Sequence, residues 1–566
     1  MDRKQFNLWN KITAAVAFVV SAVTYLLTIE PSASFWDCGE FIASSYKLEV
    51  GHPPGNPVFQ LFARIATLFG DGAHAAILVN ALSAICSALT ILFLYLTIVW
   101  LVKRLVTPSE GGRYSVAQAI AIFGSGLVGA LAYCFSDTFW FSAVEGEVYA
   151  MSSLFTALVF WAMTMWYDRA EEPHANRWIV LIAFLMGLSI GIHLLNLLAI
   201  PALVFMYYFR RKPDYTFWEY VKIFLVGVVI LAIILFLIIP WLPKLAAYFD
   251  LFFVNVLGLH YNTGAAFFMV ALLALCFWGI FATQKKEKPF WNTVLLSFTV
   301  IVIGFSVFTV DIIRSSAKTP TNEYQPDNAF TLVRYLSREQ YGKTPLIYGQ
   351  YYDAPYDLKT TRYWAPVDGK YKKVEGPVDA KYRSAGKMLF PRMWSSSPDG
   401  RYEDFYEAYT GGKGRKIAGA EHRKPTMAAN LAYFFDYQMN WMYWRYFMWN
   451  FVGRQNEVHS PTPGNIFHGN WESGIKFVDN ARLGDQSDAP DILKNNKGKN
   501  HYYFLPLLLG LIGLCFQFGK DKRGCWLNFL MFFMTGIAIV LYLNQPPYQV
   551  RERDYAYAGS FYFFSV

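Results

Sequence analysis

Cysteine is scarce in this sequence, and charge is scarce as well. The six cysteines among 566 residues form no Cys-x-x-Cys pair, and all but Cys38 lie in or beside apolar runs. Neither a disulfide framework nor a zinc cluster is therefore indicated. Charged residues make up 16% of the chain, whereas soluble proteins average about 25%. This shortage argues against a protein whose main solvent is water.

The apolar content is correspondingly high. Hydrophobic residues form 55% and aromatic residues 18% of the sequence, and the mean hydropathy is +0.25. A net charge of +9 would suit a nucleic-acid partner, but the basic residues fall in short clusters between apolar runs. Such clusters are typical topology signals of membrane proteins, so we expect membrane lipids and no nucleic acid as partners.

Apolar runs predict an all-α polytopic membrane protein with about twelve transmembrane helices. The first run lacks a small-x-small cleavage site before Pro31, so we interpret it as a retained helix. The run 179–209 is too long for one upright helix and predicts two short helices that turn near Gly191-Ile192-His193. The predicted spans are 12–28, 75–102, 117–135, 150–166, two within 179–209, 220–239, 265–283, 294–310, 504–518, 526–543 and one that opens near Ala558.

Loop charge tests this topology, because cytoplasmic loops carry the excess of lysine and arginine. Counted alternately from an inside N-terminus, the cytoplasmic connections receive the basic clusters. These are Arg3, Lys4 and Lys11; Lys103 and Arg104; Arg169 and Arg177; Arg210, Arg211 and Lys212; Lys285, Lys286 and Lys288; and Lys520, Lys522 and Arg523. The opposite, outer face receives the stretches 30–74, 136–149, 240–264, 311–501 and 544–557, and a turn at His193.

We therefore predict three regions. An N-terminal transmembrane domain covers 1–310, a polar outer-face insertion of mixed structure covers 311–500, and C-terminal transmembrane helices cover 501–566. The aromatic segment 431–452 within the insertion is predicted to be a helix that lies in the membrane interface. Because Val566 falls early in a fresh apolar run, we expect the chain to be part of a longer protein.

The first outer loop contains Asp37 and Glu40, followed by His52 in a rigid Gly/Pro turn. Glycosyl transfer to a hydroxyl needs a base, and partial desolvation at a membrane boundary raises the pKa of a carboxylate. Asp37 is therefore a candidate catalytic base. The alternative is that Asp37 and Glu40 only cap a short helix, and that the turn only returns the chain to the membrane.

Two further outer loops contain charged side chains suited to substrate binding. Glu145 and Glu147 could orient an acceptor or hold a divalent cation, or they are only solvated carboxylates. Arg551 and Arg553 suit the phosphate of a lipid donor, because their planar guanidinium groups make paired hydrogen bonds. The alternative for them is a self-neutralising surface strip with the neighbouring acids. His193 is either a packing residue or a participant in catalysis.

Three motifs carry a resemblance to a known family. They are Phe-Trp-Asp-Cys-Gly-Glu-Phe at 35–41, Gly-His-Pro-Pro-Gly at 51–55 and Glu-Gly-Glu-Val-Tyr at 145–149, with the element 551–557 as a fourth, weaker match. The sequence resembles the transmembrane protein 260-like family, including its bacterial members, and this family is similar to protein O-mannosyltransferases of the GT-C architecture. The resemblance covers about the first 310 residues and the late arginine segment.

The resemblance implies a membrane glycosyltransferase. It would move a hexose, expected to be mannose, from a polyprenyl- or dolichyl-phosphate donor to Ser or Thr of an exported protein, with inversion. Asp37 and Glu40 would be catalytic. The remaining site residues divide into two groups: His52, Glu145, Glu147, Tyr149 and His193 would bind substrate, and Arg551 and Arg553 would bind the donor phosphate. No cofactor is expected, although a divalent metal stays possible.

Other functions and locations stay open at this point. A lipid or oligosaccharide flippase would have a similar number of spans, but no internal repeat or charged midplane is evident in the sequence. A GT-C enzyme that acts on a lipid or glycan acceptor, or a binding module built on 311–501, is also compatible. A bacterial inner membrane with a periplasmic site is expected, or the endoplasmic reticulum if the protein is eukaryotic.

Overall fold

The computed structural model describes residues 1–108, 113–212, 214–342, 344–395 and 402–566. It is a mostly helical polytopic membrane protein with a small insertion that contains strands. The N-terminal helices are α1 (Arg3–Leu27), α2 (Cys38–Lys47), α3 (Pro57–Thr67), α4 (Ala75–Leu105), α5 (Val116–Cys134), α6 (Asp137–Ala143), α7 (Val148–Asp168), α8 (Arg177–Ile190), α9 (Ile200–Arg211), α10 (Phe217–Ala232), α11 (Ile239–Asn255), α12 (Thr263–Lys285), α13 (Pro289–Phe305) and α14 (Thr309–Ser316).

The insertion and the C-terminal region complete the fold. The insertion contains α15 (Ala329–Leu336), β1 (Tyr348–Gln350), β2 (Tyr356–Val367), β3 (Lys370–Tyr382), β4 (Lys387–Leu389), α16 (Glu403–Thr410), α17 (Met427–Tyr433), α18 (Arg445–Phe451), β5 (Gly453–Arg454), α19 (Lys476–Leu483), α20 (Asp491–Lys494) and β6 (Asn500–His501). The C-terminal helices are α21 (Leu505–Lys520), α22 (Lys522–Met534), α23 (Ile537–Leu543) and α24 (Ala558–Phe564). The strands pair antiparallel as β1 with β4, β2 with β3 and β5 with β6.

The apolar helices agree with the predicted spans. Within the described residues, nine helices are long and apolar enough to cross a bilayer, and the shorter helices α8 and α21 are also apolar. The predicted division of 179–209 is confirmed, because α8 ends at Ile190 and a 3₁₀ turn, Leu194–Ala199, leads into α9. One boundary differs: helix α14 continues through Ser316, so the insertion starts a few residues later than predicted.

Helices α8 and α13 pack closely against each other in the bundle. A Cβ atom on Gly187 of α8 would lie 2.6 Å from the carbonyl oxygen of Ile301, and one on Gly304 of α13 would lie 2.6 Å from the backbone nitrogen of Leu188. The two helix backbones therefore touch at these glycines. Small residues commonly permit such close approach between membrane helices.

Ion pairs gather the predicted cytoplasmic connections at one end of the molecule. Arg104 pairs with Asp521 at 2.9 Å, and Arg523 approaches Asp214 at 3.8 Å. These residues belong to connections that are far apart in sequence but were assigned to the same side. The predicted outer loops meet one another at the candidate site described below. The structure thus supports the alternation of the loops across the bundle.

The aromatic segment of the insertion is a helix, as predicted. Helices α17 and α18 join through a π-helical segment, Phe434–Trp444, into one element that runs from Met427 to Phe451. Most of its aromatic rings are buried inside the protein, including Tyr433, Tyr446 and Trp449. Its position at the membrane interface stays a prediction, but the burial shows that the rings pack mainly against neighbouring protein.

Candidate active site

The first outer loop presents Asp37 at the start of α2. Asp37 occupies the N-cap position, but within the described part of the chain its side chain makes no capping hydrogen bond, and it is exposed. This geometry therefore does not favour the interpretation that Asp37 only caps the helix. Its carboxylate is close enough to oppose ionisation of Glu147 and to favour protonation of His52. Asp37 thus lies between the two other groups of candidate side chains.

Glu40 and His52 form a half-buried pair. The Nδ1 atom of His52 lies 3.0 Å from Glu40 Oε2, and the His52 backbone N–H donates to Glu40 Oε1 at 2.6 Å. A Cβ atom on Gly51 would lie 2.6 Å from the same Glu40 oxygen, so this position needs glycine. The hydrogen bond that His52 donates to Glu40 raises the pKa of His52, with partial burial opposing it. Burial would raise the pKa of Glu40, but the bonds from His52 outweigh it and lower that pKa.

Glu145 and Glu147 project from a tight turn in the second outer loop. The Glu147 backbone N–H donates to the Glu145 carbonyl oxygen at 2.9 Å. The intervening Gly146 packs against Asn80 of α4, whose side-chain amide donates to the backbone of the first outer loop at Glu30. The two carboxylates are almost completely buried, with exposures of 3% and 1%. They are therefore not solvated surface acids.

Arg551 brings the last outer loop to these carboxylates. Its Nη1 atom lies 2.8 Å from Glu147 Oε1, and its Nη2 atom lies 3.5 Å from Glu145 Oε1. Cys38 completes the cluster, because its thiol donates to Glu145 Oε2 at 3.8 Å. Residues from three predicted outer loops thus meet in one buried cluster, which we call the carboxylate–arginine cluster: Cys38, Glu145, Glu147 and Arg551.

Burial controls protonation within the carboxylate–arginine cluster. Burial, and next the charge of Glu147, raise the pKa of Glu145 to about 8, although Arg551 opposes the shift. Burial also raises the pKa of Glu147, and Arg551 opposes that shift as well. At neutral pH Glu145 is therefore largely protonated, and this proton and the guanidinium of Arg551 offset the negative charge of the cluster.

The same cluster has the donor atoms of a cation site. The ligand atoms of Cys38, Glu145 and Glu147 lie within 4.8 Å of one another. However, the guanidinium of Arg551 already binds both carboxylates, so a cation would have to compete with a resident positive charge. The arrangement is explained by the arginine alone, and a metal requirement stays untested.

Arg553 has different neighbours from Arg551. Its Nη1 atom donates to the Tyr555 hydroxyl at 2.5 Å and its Nε atom to Gln549 Oε1 at 3.1 Å. Among the described residues it has no carboxylate partner within 4.0 Å. The ring of Tyr149 lies 4.2 Å from that of Tyr555 between centroids, and His193 lies beside Tyr149 at 5.4 Å. Arg553 is thus a largely enclosed cation surrounded by aromatic side chains.

His193 is a half-buried, neutral side chain. Burial lowers the pKa of His193 to about 4. Its Nδ1 atom accepts from the backbone N–H of Leu195 at 3.3 Å, so the neutral ring carries its proton on Nε2. The residue therefore fits a hydrogen-bond donor or a packing residue, and a charged role at neutral pH is not supported.

The acids next to these arginines, Glu552 and Asp554, bind other parts of the protein. The segment 551–554 is therefore not a self-neutralising strip. Glu552 accepts from Arg445 Nη2 at 2.6 Å and from the Tyr446 hydroxyl at 2.6 Å. Asp554 accepts from the hydroxyl of Thr138 at 2.7 Å. The alternating charges of this segment therefore point to different parts of the protein.

Sequence reasoning missed several members of the site. Cys38 lies inside the Asp-Cys-Gly-Glu motif, and its position there was the available signal. Asn80 is a polar residue inside an apolar span, which is itself a signal of a structural role. Arg445 and Tyr446 lie in the aromatic segment 431–452, which the sequence predicts only as an interfacial helix. Nothing in the local sequence connects them with residues 551–553.

Comparison with known proteins matches two parts of the chain. Residues 37–216 match the family described as the protein O-mannosyl-transferase TMEM260 N-terminal domain, and residues 342–435 match a family of unknown function, DUF8416. The chain is 26% identical over 202 residues to protein O-mannosyl-transferase tmem260 of Dictyostelium discoideum, and 30% identical over 179 residues to protein O-mannosyl-transferase TMEM260 of Mus musculus. These alignments cover 34% and 31% of this chain.

The alignments cover less of the relatives than of this chain. They span 22% of the Dictyostelium protein and 23% of the mouse protein, so most of each relative lies outside the comparison. The matched region 37–216 nevertheless contains Asp37, Glu40, His52, Glu145 and Glu147. Over this region and the motifs within it, the chain is similar to the TMEM260 N-terminal domain family.

Proposed function

We propose that this protein is a membrane glycosyltransferase that moves a hexose, mannose in the first instance, from a lipid-phosphate donor to Ser or Thr of an exported protein. The donor class is a polyprenyl or dolichyl phosphate sugar, and the transfer inverts the anomeric centre. The observation that carries the proposal is the carboxylate–arginine cluster. It joins three outer loops that are far apart in sequence and brings two acids together with an arginine, and transfer from a phosphate-linked sugar would use both kinds of charge.

Asp37 is the proposed base. Among the acids near the cluster it is exposed and, in the described structure, free of a capping bond, so an acceptor hydroxyl can approach it. The hydroxyl proton passes to the Asp37 carboxylate while the acceptor oxygen forms a bond to the anomeric carbon. The bond between that carbon and the phosphate oxygen breaks, and its electron pair leaves with the lipid phosphate. The hydrogen-bonded pair of Glu40 and His52 would hold the loop beside Asp37 in place.

Arg553 is the better placed of the two arginines for the donor phosphate. Arg551 already balances buried carboxylates, whereas Arg553 has hydrogen-bond partners that are neutral. A phosphate can therefore pair with Arg553 without displacing an acid. Arg551 would add positive electrostatic potential at the phosphate and would hold the side chains of Glu145 and Glu147 in place. The two arginines, held in position before the reaction, would stabilise the negative charge that develops on the departing phosphate.

The aromatic side chains supply the remaining surface of the proposed donor site. A narrow cavity next to Arg553 is lined by Tyr149 and Tyr555 together with hydroxyl side chains of α7, including Ser152 and Ser153. Hydroxyl groups and tyrosine edges suit a sugar, and the apolar helix faces around them suit a lipid chain. His193, beside Tyr149, would donate a hydrogen bond from Nε2.

The placement in the cell is part of the proposal. The site would face the periplasm from a bacterial inner membrane, or the lumen of the endoplasmic reticulum in a eukaryotic cell. The membrane helices of 1–310 would form a GT-C-like domain, with the insertion 311–500 above it and the helices of 501–566 completing the site. We propose a reaction that needs no divalent metal, and addition of a chelator to an active preparation checks this.

The test uses the purified full chain with labelled polyprenyl-phosphate mannose and a panel of Ser/Thr peptides, read out by mass addition. We expect Asp37→Asn to lower kcat by about 10²-fold or more while the Kd for the donor changes little, because general-base catalysis contributes about 10²- to 10⁴-fold. The matched control is Asp71→Asn, an exposed acid of the same outer loop that caps a short 3₁₀ turn. It should retain wild-type turnover.

Two outcomes contradict the proposal in different ways. Near-normal turnover by a folded Asp37→Asn protein removes Asp37 from the base role but leaves the transferase intact. The absence of transfer from every lipid-phosphate sugar by the wild-type protein, combined with movement of labelled lipid between leaflets in proteoliposomes, favours a flippase instead.

A further inference from the structure

The segment that carries Arg551 and Arg553 is fixed to the insertion through Glu552. This carboxylate accepts hydrogen bonds from Arg445, from Tyr446 and, at 3.0 Å, from the backbone N–H of Ser460. Burial would raise the pKa of Glu552, but the charge of Arg445 and the hydrogen bonds outweigh it and hold that pKa well below its usual range. Glu552 is therefore a permanent anion inside the protein.

His459 lies between this anion and a carbonyl group. Its Nε2 atom is 2.9 Å from the carbonyl oxygen of Gln549, and its Nδ1 atom is 3.4 Å from Glu552 Oε1. A carbonyl and a carboxylate both only accept hydrogen bonds. A neutral imidazole has one N–H and can satisfy only one of them, whereas the imidazolium faces both acceptors with a proton. Nε2 is within hydrogen-bond distance of the carbonyl and Nδ1 lies within ion-pair distance of the carboxylate, an arrangement that favours the imidazolium.

Two short routes connect His459 and Glu552 to Arg553. In the first, His459 holds the backbone of Gln549, whose side-chain oxygen accepts from Arg553 Nε at 3.1 Å. In the second, the Tyr446 hydroxyl donates to Glu552 and accepts from the Arg553 backbone N–H at 3.0 Å. The position of the Arg553 guanidinium therefore depends on both His459 and Glu552.

We propose that His459, through Gln549 and Glu552, positions Arg553 for the donor phosphate, and that donor binding weakens when His459 loses its proton. His459 is then a positioning residue supplied by the outer insertion for a site built mainly from the membrane helices. This inference rests on the proposed role of Arg553 in binding the phosphate.

The direction of the pH effect follows from the neighbours of His459. In the described structure the charged groups that face it are the Glu552 carboxylate and, farther away, the Arg445 guanidinium. The neighbouring Glu552 carboxylate raises the pKa of His459 above its ordinary value of 6.5, with partial burial and the charge of Arg445 opposing it. Donor affinity should therefore be high at mildly acidic pH and fall as the pH rises through this raised value.

The experiment measures the Kd of polyprenyl-phosphate mannose for the full chain in nanodiscs, without acceptor peptide, from about pH 5.5 to 8.5, a range around the ordinary histidine pKa. The probe is a phosphodiester, whose single negative charge does not change over this range. We expect the wild-type Kd to rise with pH. His459→Gln should bind about three- to tenfold more weakly at low pH, the loss expected for one hydrogen bond behind a binding residue, and its Kd should depend less on pH than that of the wild type, with only the titration of Glu145 near pH 8 remaining.

Two further variants separate charge from folding. His459→Lys carries a charge that does not titrate in this range, so its Kd should vary with pH no more than that of His459→Gln and should stay below it at high pH. The matched control is His468→Gln, a half-buried histidine of the same insertion that contacts Asn465. It should reproduce the wild-type pH profile.

The outcomes distinguish this inference from the proposed function. If His459→Gln keeps the wild-type pH profile of Kd, the inference is wrong whatever the activity. If the wild-type protein binds the donor with the expected profile but transfers no sugar, the proposed reaction is wrong and the positioning role stands. If no variant binds the donor at any pH, both are overturned.

Discussion

Removal of the Arg551 side chain gives the most direct test of the carboxylate–arginine cluster. In the Arg551→Gln protein, Glu147 loses a partner at 2.8 Å and Glu145 loses one at 3.5 Å, and both acids are buried. Breaking a buried ion pair by removing one partner costs about 3–5 kcal/mol, because the other charge is left uncompensated. Since Glu145 already accepts a proton near neutral pH, we expect the lower value, about 3 kcal/mol.

The double variant Arg551→Gln/Glu147→Gln should recover much of this loss. We expect a coupling energy of about 2 kcal/mol between the two residues, and a smaller one between Arg551 and Glu145, whose contact is longer. The assay is the free energy of unfolding in mixed micelles at pH 7 and pH 5, followed by tryptophan fluorescence. The penalty of Arg551→Gln should be smaller at pH 5, because the stranded Glu147 is then protonated more easily.

The control for this cycle is Arg523→Gln. Arg523 approaches a fully exposed partner, Asp214, at 3.8 Å and donates to the Phe209 carbonyl oxygen at 3.4 Å, so its removal should cost far less stability than removal of Arg551. If Arg551→Gln were as stable as Arg523→Gln, or if the Arg551–Glu147 coupling were zero at pH 7, the cluster would not be the buried, charge-balanced site described above.

Two more predictions follow from the structure. Because the folded-state pKa of Glu145 is about 8 and its ordinary value is 4.5, its contribution to stability is complete below about pH 4.5 and is lost as the pH rises towards 8; Glu145→Gln should flatten the unfolding free energy across this window, and an unchanged slope would contradict the assignment. Gly304→Val should force apart α8 and α13, because its Cβ would meet the backbone at 2.6 Å, and should cost about 1–3 kcal/mol or more; Gly279→Val, next to flexible leucine side chains, is the control, and equal stabilities would refute the close crossing.

Much of the membrane architecture is readable from the sequence because its causes are local. A span of 17–25 apolar residues and a basic cluster beside it each report a transfer free energy that does not depend on distant residues. The division at Gly191-Ile192-His193 was predictable for the same reason, since the apolar run is too long for one crossing. The grouping of Asp37, Glu145 and Arg551 on one side also followed from counting spans.

The pairing within the site could not be predicted, because each partner is remote in the chain. Glu145 and Glu147 look like solvated acids in sequence, yet tertiary packing buries them and supplies Arg551 from the last outer loop. The loop 551–554 looks self-neutralising, yet Glu552 binds Arg445 of the insertion instead. Burial and competing partners decide which charge pairs with which, and neither quantity is local.

By itself, the sequence determined that this protein lies in a membrane, which loops share a side, and which family its N-terminal region resembles. Hydropathy and loop charge depend on each residue and its near neighbours in the chain, so they can be read without the three-dimensional structure. Tertiary structure decided which acids lose their solvent, which arginine is left without an acidic partner, and that His459 faces two acceptors at once. These properties depend on desolvation and on distances of about 3 Å between groups far apart in sequence, which only the folded chain fixes.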